Sequence, residues 1–298
     1  MEISQYRRNK EVNKINMSDV LKKIEESVPS FSKGQKKIAQ YIINQYNKAV
    51  FMTAAKIAEE TGVSESTVVR FADAMGYDGF PEFQQALQDS VKGKLTALQR
   101  FEQASEHLES RDMLSLVMNS DISRLKATYE QLDKELFEKA VQSISKAKKI
   151  YIIGVRSSSA LASFLGFYLN LLFDDVRVIS TTSVSEVFEQ IMRIGKDDVL
   201  IGISFPRYSN RTVKALQYAK TNGATVISVT DSKVSPLVEY SDVALLAESG
   251  MVSFVDSLVA PLSIINALIV SLGMNKKSEI KDTFDRLEDI WKEYNVYK

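Results

Sequence analysis

The chain has 298 residues, 45% of them hydrophobic, no cysteine and a single histidine, His107. That length allows two domains with cores of their own, and the composition excludes a disulfide framework, a thiolate metal site and a multi-histidine metal site. Formal net charge is zero, yet residues 1–95 carry 14 Lys and Arg against 12 Asp and Glu, a weak basic bias.

Residues 1–16 read as a loose polar tail without the apolar segment of a signal peptide. Ordered pattern begins at Ser18 with Val20, Leu21 and Ile24, and Pro29 closes that short helix. A second helix is predicted over Ser32–Asn47, with Ile38, Ile42 and Ile43 on one face. Thr53 is placed to cap a third helix, in which Ile57 and Ala58 face inward. Gly62 supplies a left-handed turn, and Val63 packs into the corner. Ser64 then opens a helix whose inward residues are Val68, Phe71 and Met75, ended by Gly76. The run Gly76–Phe83 is a turn into a further helix that reaches about Val91.

Residues 94–137 are polar and helical in pattern, and are expected to form a linker of one or two helices. From Lys148 the character changes. Five apolar strands are predicted: Ile150–Val155, Val176–Ile179, Val199–Ile203, Thr225–Val229 and Val243–Leu246. Helices are predicted over Ser158–Phe173, Val184–Ile194 and Asn210–Asn222, and again after Pro261. Continuous apolar strands alternating with helices indicate a parallel sheet covered on both faces. The apolar run from Ser257 to Leu272 is broken by Pro261, Ser263, Asn266 and Ser271, too polar for a membrane span. A cytoplasmic protein is expected.

Helix, glycine turn and helix over residues 53–71 form a helix-turn-helix pattern, whose natural target is the DNA major groove. The second helix would present Ser64, Glu65, Ser66, Thr67 and Arg70 to base edges and phosphates, with Thr53 at the start of the first. An ordinary helical hairpin with Arg70 in a surface ion pair also fits this spacing. A head with so small a basic excess neutralises few phosphates, so two heads on two half-sites are expected.

In the second half, ligands of a parallel sheet bind at the carboxyl ends of its strands. The first strand ends in Gly154-Val155-Arg156-Ser157-Ser158. The third ends in Ser204-Phe205-Pro206-Arg207-Tyr208-Ser209, and the fourth in Thr230-Asp231-Ser232. Hydroxyls beside helix N-termini suit an anion, and Arg156 and Arg207 add positive charge. Serines there also serve as plain helix caps. The candidate effector residues are Gly154, Arg156, Ser157, Ser158, Ser204, Arg207, Tyr208, Ser209 and Asp231. A dinucleotide-binding G-x-G-x-x-G is absent, because Arg156 replaces its second glycine, and no cofactor is expected. No nucleophile–base pair is apparent. Glu186 and Glu248 are read as solvated, and no catalytic or metal-binding residue is expected.

Ser64-Glu65-Ser66-Thr67-Val68-Val69-Arg70-Phe71, followed by Gly76-Tyr77-Asp78-Gly79-Phe80, resembles the reading head of the RpiR/MurR family of bacterial transcriptional regulators. The second half resembles a sugar isomerase (SIS) domain, a phosphosugar-binding module whose third strand usually ends I-S-x-S-G-x-T. Ile203, Ser204 and Ser209 match the I, first S and T positions, while Pro206 and Arg207 depart from the second S and the G. Arg156 departs from the usual glycine of the first loop. The resemblance spans about residues 17–275. It implies a homodimer or homotetramer, control of sugar catabolism genes, and a sugar phosphate as effector.

The expected architecture is therefore an all-α helix-turn-helix domain over 17–93, a helical linker over 94–137, an SIS-like α/β domain over 138–277 with a five-stranded parallel sheet flanked by helices, and a C-terminal helix over 278–298. The expected function is a DNA-binding regulator of carbohydrate metabolism genes, controlled by a phosphorylated sugar or related metabolite. Its partners are a double-stranded operator and that effector, and no membrane. The alternatives are a phosphosugar isomerase with an accessory helical domain, and a sugar-phosphate-binding scaffold without DNA.

Overall fold

Ser32 and Gln35 cap one another at the start of the second helix, each side chain bonded to the other's backbone N–H. Local signals of this kind recur through the chain. A computed structural model describes residues 19–50, 52–92, 112–181, 183–250 and 255–297. It divides into two compact units, residues 1–96 and 97–298.

The first unit is helical: α1 (Asp19–Ser27), α2 (Lys33–Asn44), α3 (Tyr46–Ala49), α4 (Ala54–Thr61), α5 (Glu65–Ala74) and α6 (Gly79–Lys92). Helices α2, α4 and α5 pack together around Ile38, Ile42, Ile57, Val68 and Phe71. An aromatic chain runs from Phe31 through Phe71 to Phe83 and Tyr77, with ring centroids 5.0–5.6 Å apart. The single helix expected over 32–47 breaks at Gln45, whose φ of −121° and ψ of 35° leave helical geometry. The break delivers Ala49 and Val50 into the core, both fully buried.

The second unit begins, among the described residues, with α7 (Met113–Gln131) and α8 (Lys134–Lys146). The αβ alternation follows: β1 (Ile150–Gly154), α9 (Ser158–Leu169), β2 (Val176–Ile179), α10 (Val184–Ile191), β3 (Val199–Ile203), α11 (Asn210–Thr221), β4 (Thr225–Thr230) and β5 (Val243–Leu246). Helices α12 (Val259–Asn275) and α13 (Lys277–Glu293) complete it. The sheet is parallel throughout, in the order β2-β1-β3-β4-β5. Side chains alternate between two cores, as the pleat requires. Ile152, Ile201 and Val229 meet Leu161, Leu165 and Leu268 on one face, and Ile153, Leu200 and Val226 meet Ile191 and Leu216 on the other.

Several boundaries differ from expectation. The strand expected to Val155 ends at Gly154. Helix α9 stops at Leu169 rather than Phe173, and Asn170, just past it, also folds its side-chain amide back onto the Gly166 carbonyl at 2.7 Å. Helix α12 starts two residues before Pro261, since a proline in the first turn removes an N–H that has no partner in the helix anyway. The one or two helices expected over 94–137 correspond, among the described residues, to α7 and the start of α8, and both pack on the α/β unit. Residues 93–111, including His107, lie outside the described residues. No single described helix is long and apolar enough to cross a membrane.

Candidate DNA-reading face and effector site

Thr53 caps α4, its hydroxyl accepting from the Lys56 N–H at 3.2 Å. The helix ends at Gly62, held at φ 61° and ψ 44°. Non-glycine residues pay roughly 1–2 kcal/mol in that region, so glycine sets the corner at least cost. Beyond it Ser64, Glu65, Ser66 and Arg70 are exposed, while Thr67 is half-buried with its methyl toward Gly34. Ser64 is the N-cap residue of α5 by backbone geometry, but its hydroxyl bonds the hydroxyls of Ser66 and Thr67, at 2.9 and 2.8 Å, rather than a backbone N–H. Arg70 lies back along the helix, with Nε donating to the Ser66 carbonyl at 3.2 Å and Nη2 to Ser66 Oγ at 3.4 Å. Five of the six sequence-predicted residues thus form one polar patch at the start of α5. Thr53 does not join it, standing at the far end of α4, about 12 Å of helix from the turn.

Lys33, Lys36 and Lys37 on α2 were not singled out in sequence, and all three are exposed. The Lys37 ammonium lies 4.0 Å from where a Cβ on Gly62 would sit, so it stands over the turn itself. Gln35 reaches the Arg70 carbonyl at 3.5 Å. The signal was a basic cluster one helix upstream of the motif.

In the second unit, Gly154 pairs in register with Ile203 and Ile203 with Val229, so three loops leave the sheet at one level. The strand order reverses between β1 and β3, the switch point at which open α/β sheets form a crevice. Arg156 and Arg207 rise on its two sides, both exposed. Arg156 holds φ 60°, a left-handed conformation that favours glycine.

Beneath the arginines lies a hydroxyl network. Ser204 Oγ accepts from the Ser209 N–H at 3.0 Å, and Ser209 in turn caps α11. Thr230 Oγ1 bonds the Ser204 carbonyl at 2.9 Å and Ser235 Oγ at 2.7 Å. Tyr208 donates to Asp231 Oδ1 at 2.8 Å. Burial, reinforced by the neighbouring Asp231 carboxylate, pushes the Tyr208 hydroxyl well above its ordinary value. Of the nine effector candidates, Arg156, Ser157 and Arg207 are exposed, and Tyr208, Ser209 and Asp231 are half-buried. Gly154, Ser158 and Ser204 are buried in the scaffold. A Cβ on Gly154 would lie 2.4 Å from the Ser158 carbonyl oxygen, so this glycine lets α9 start against the strand end. Arg211, half-buried, donates to the Thr181 carbonyl at 3.4 Å and ties α11 to the loop after β2. That loop, opening Ser180-Thr181, has the same hydroxyl-rich composition as the other three and was not singled out.

A family model of the rpiR-family helix-turn-helix domain matches residues 18–94, and one of the SIS domain matches residues 143–271. The chain thus carries an rpiR-family helix-turn-helix domain followed by an SIS domain. Among curated relatives, the HTH-type transcriptional regulator HexR of Escherichia coli K12 is 27% identical over 284 residues, which is 92% of this chain and 95% of HexR. A regulator of Haemophilus influenzae is 29% identical over 231 residues, covering 76% and 79% of the two chains. The sugar isomerase domain of an RpiR transcription factor from Sphaerobacter thermophilus superposes with a TM-score of 0.58 at 28% identity, covering 60% of this chain and 99% of that one. The Vibrio vulnificus NanR protein, solved with ManNAc-6P, superposes with a TM-score of 0.55 at 23% identity over 92% of this chain and 98% of NanR, and bears on the fold. Both of these curated relatives are named as HTH-type transcriptional regulators.

Proposed function

We propose that this chain reads a DNA operator through the start of α5 and responds to a phosphorylated sugar, or a closely related anionic metabolite, at the tips of β1, β3 and β4. One observation carries the effector half: two exposed arginines on loops that flank the switch point, above a hydroxyl network. A phosphate is the ligand such a site suits, since helix N-termini and guanidinium groups favour a compact anion. NanR, a structural neighbour, was solved with a sugar phosphate, ManNAc-6P, which supports the same class here. The exposed residues Arg156, Ser157 and Arg207 would touch the ligand, and Tyr208, Ser209 and Asp231 would shape the loop beneath it. The operators belong to genes of carbohydrate metabolism, and the regulator works in the cytoplasm as a homodimer or homotetramer. Effector binding changes operator affinity only as far as it favours one state over the other.

The experiment has two arms. Thermal-shift screening against sugar phosphates is expected to find ligands that raise the melting temperature, because a ligand selective for the native state stabilises it. Selection from random duplex DNA is expected to enrich one sequence, with binding altered by the same ligands. No enrichment of any sequence removes the operator reading. Full enrichment with no response to any sugar phosphate removes the effector reading.

A further inference from the structure

The loop after β4 is a tight turn with both feet held. At its start Asp231 accepts from the Tyr208 hydroxyl at 2.8 Å. At its end Ser235 is buried, and its hydroxyl bonds Thr230 Oγ1 at 2.7 Å. The Ser235 N–H donates back to the Ser232 carbonyl at 3.2 Å, closing a β-turn with Lys233 and Val234 at its two central positions. Val234 is 83% exposed and Lys233 is exposed beside it, so the tip of the turn stands clear of the protein. Lys233 was not singled out in sequence. Three exposed cations therefore stand on loops that leave the sheet at one level: Arg156 after β1, Arg207 after β3 and Lys233 after β4. Among the described residues, neither Arg156 nor Lys233 has a carboxylate partner.

The strands run in the order β1-β3-β4, and neighbours lie about 4.8 Å apart, so the loops of Arg156 and Lys233 are rooted about 10 Å apart. Between them, at the end of β4, Asp231 places a half-buried carboxylate. Charge across the mouth thus runs positive, negative, positive. A carboxylate in the middle repels an anion and accepts hydrogen bonds from hydroxyls. A lone phosphate meets one end of that sequence only. We propose that the effector is a sugar phosphate with a second anionic group at its far end, a second phosphate or a carboxylate, and that Lys233 selects for it. The first phosphate lies at the switch point between Arg156 and Arg207, the sugar hydroxyls lie over Asp231, and the second group meets Lys233. Lysine suits that group in either form, because its ammonium is a point charge with three rotatable donors rather than a fixed fork. This assignment rests on the effector reading and narrows its ligand class.

Calorimetric titration of the full-length protein tests this with matched probes: hexose 6-phosphates, the corresponding 1,6-bisphosphates and the corresponding 6-phosphoaldonates. A two-ended probe is expected to bind about tenfold more tightly than the monophosphate of the same sugar, the gain of one hydrogen-bonded charge pair. Whether the bisphosphate or the phosphoaldonate shows the gain identifies the second group. Lys233→Gln is expected to remove most of that gain, and Lys233→Arg to keep it. In about 0.15 M salt Lys233→Gln should leave monophosphate affinity nearly unchanged, because the first phosphate lies about a screening length away. Lys233 is exposed, so the unliganded variants should melt with wild type. Monophosphates that bind as tightly as their two-ended counterparts would overturn the proposal and leave the effector reading standing. So would an undiminished preference in Lys233→Gln, or an equal loss for both kinds of probe, which marks three cations converging on one phosphate. Binding by no probe of any kind removes the effector reading, and this assignment with it.

Discussion

Tyr208, at the end of β3, donates a 2.8 Å hydrogen bond to Asp231, at the end of β4. The bond joins the tips of two neighbouring strands and fixes the loop that carries Arg207. Burial and the neighbouring Asp231 carboxylate push the Tyr208 pKa up, so the hydroxyl stays a donor even in alkaline solution.

Tyr208→Phe removes the donor and leaves the carboxylate in place. Hydrogen bonds to charged groups contribute about 1.5–3 kcal/mol, so the variant should lose stability in that range by urea unfolding. The rise in melting temperature produced by a bound sugar phosphate should shrink as well. A full ligand response in Tyr208→Phe would show that the loop is positioned without this bond.

Arg156→Gly separates backbone from charge. The left-handed backbone costs a non-glycine residue roughly 1–2 kcal/mol, and the extra unfolded-state freedom of glycine returns about 0.4–1 of that. The variant should therefore unfold no more easily than wild type, while its affinity for a sugar phosphate drops in calorimetric titration. Unchanged affinity would remove Arg156 from the effector site.

Arg70→Ala and Lys37→Ala should weaken DNA binding in different ways. If Arg70 contacts a base, as proposed, its loss should cost about 1–3 kcal/mol on the operator with little effect on random duplex. Lys37 stands over the turn; if it contacts a phosphate there, its loss should reduce the salt slope by about 0.9 on both. Fluorescence anisotropy at several salt concentrations reads both quantities. Both side chains are exposed, so neither variant should melt differently from wild type.

Asp242 predicts a pH dependence. Its carboxylate bonds Lys220 and accepts from the Val226 N–H at 2.9 Å, joining β5 to β4. Burial works to raise its pKa, but the Lys220 and Val226 hydrogen bonds outweigh it and the net shift is downward. A depressed carboxylate contributes stability that is present above its unfolded value, near 3.9, and is lost as pH falls through the folded value. Asp242→Asn should thus be less stable by about 1–2 kcal/mol at pH 7, a difference that fades below about pH 4. A difference that persists undiminished in acid would assign the effect to packing instead.

Much of the head was legible in sequence. Gly62 and Gly76, the Thr53 cap and the spacing of Val68, Phe71 and Met75 are local features, and the structure places the helices around them. The break at Gln45 was not legible, because it answers to the burial of Ala49 and Val50 rather than to a local breaker. Neither was the exposure of Leu114, Met118, Ile122 and Tyr129 along α7. Its apolar residues read the same whether covered or bare, and only the polar contacts of Asp121 and Thr128 with residues more than a hundred positions away show which side faces in.

Sequence by itself determined the division into a helical head and a parallel α/β unit, and put hydroxyls and arginines at the strand ends. Periodicity, capping and turn residues act over a few positions and are written in the chain. Tertiary structure alone decided the strand order, and with it the placing of Arg156 and Arg207 across a switch point. It also decided that Ser204 and Ser158 are buried while Ser157 is exposed, and that Tyr208 bonds a carboxylate 23 residues away. Those outcomes depend on which apolar faces bury one another, a competition among distant segments that no local pattern records.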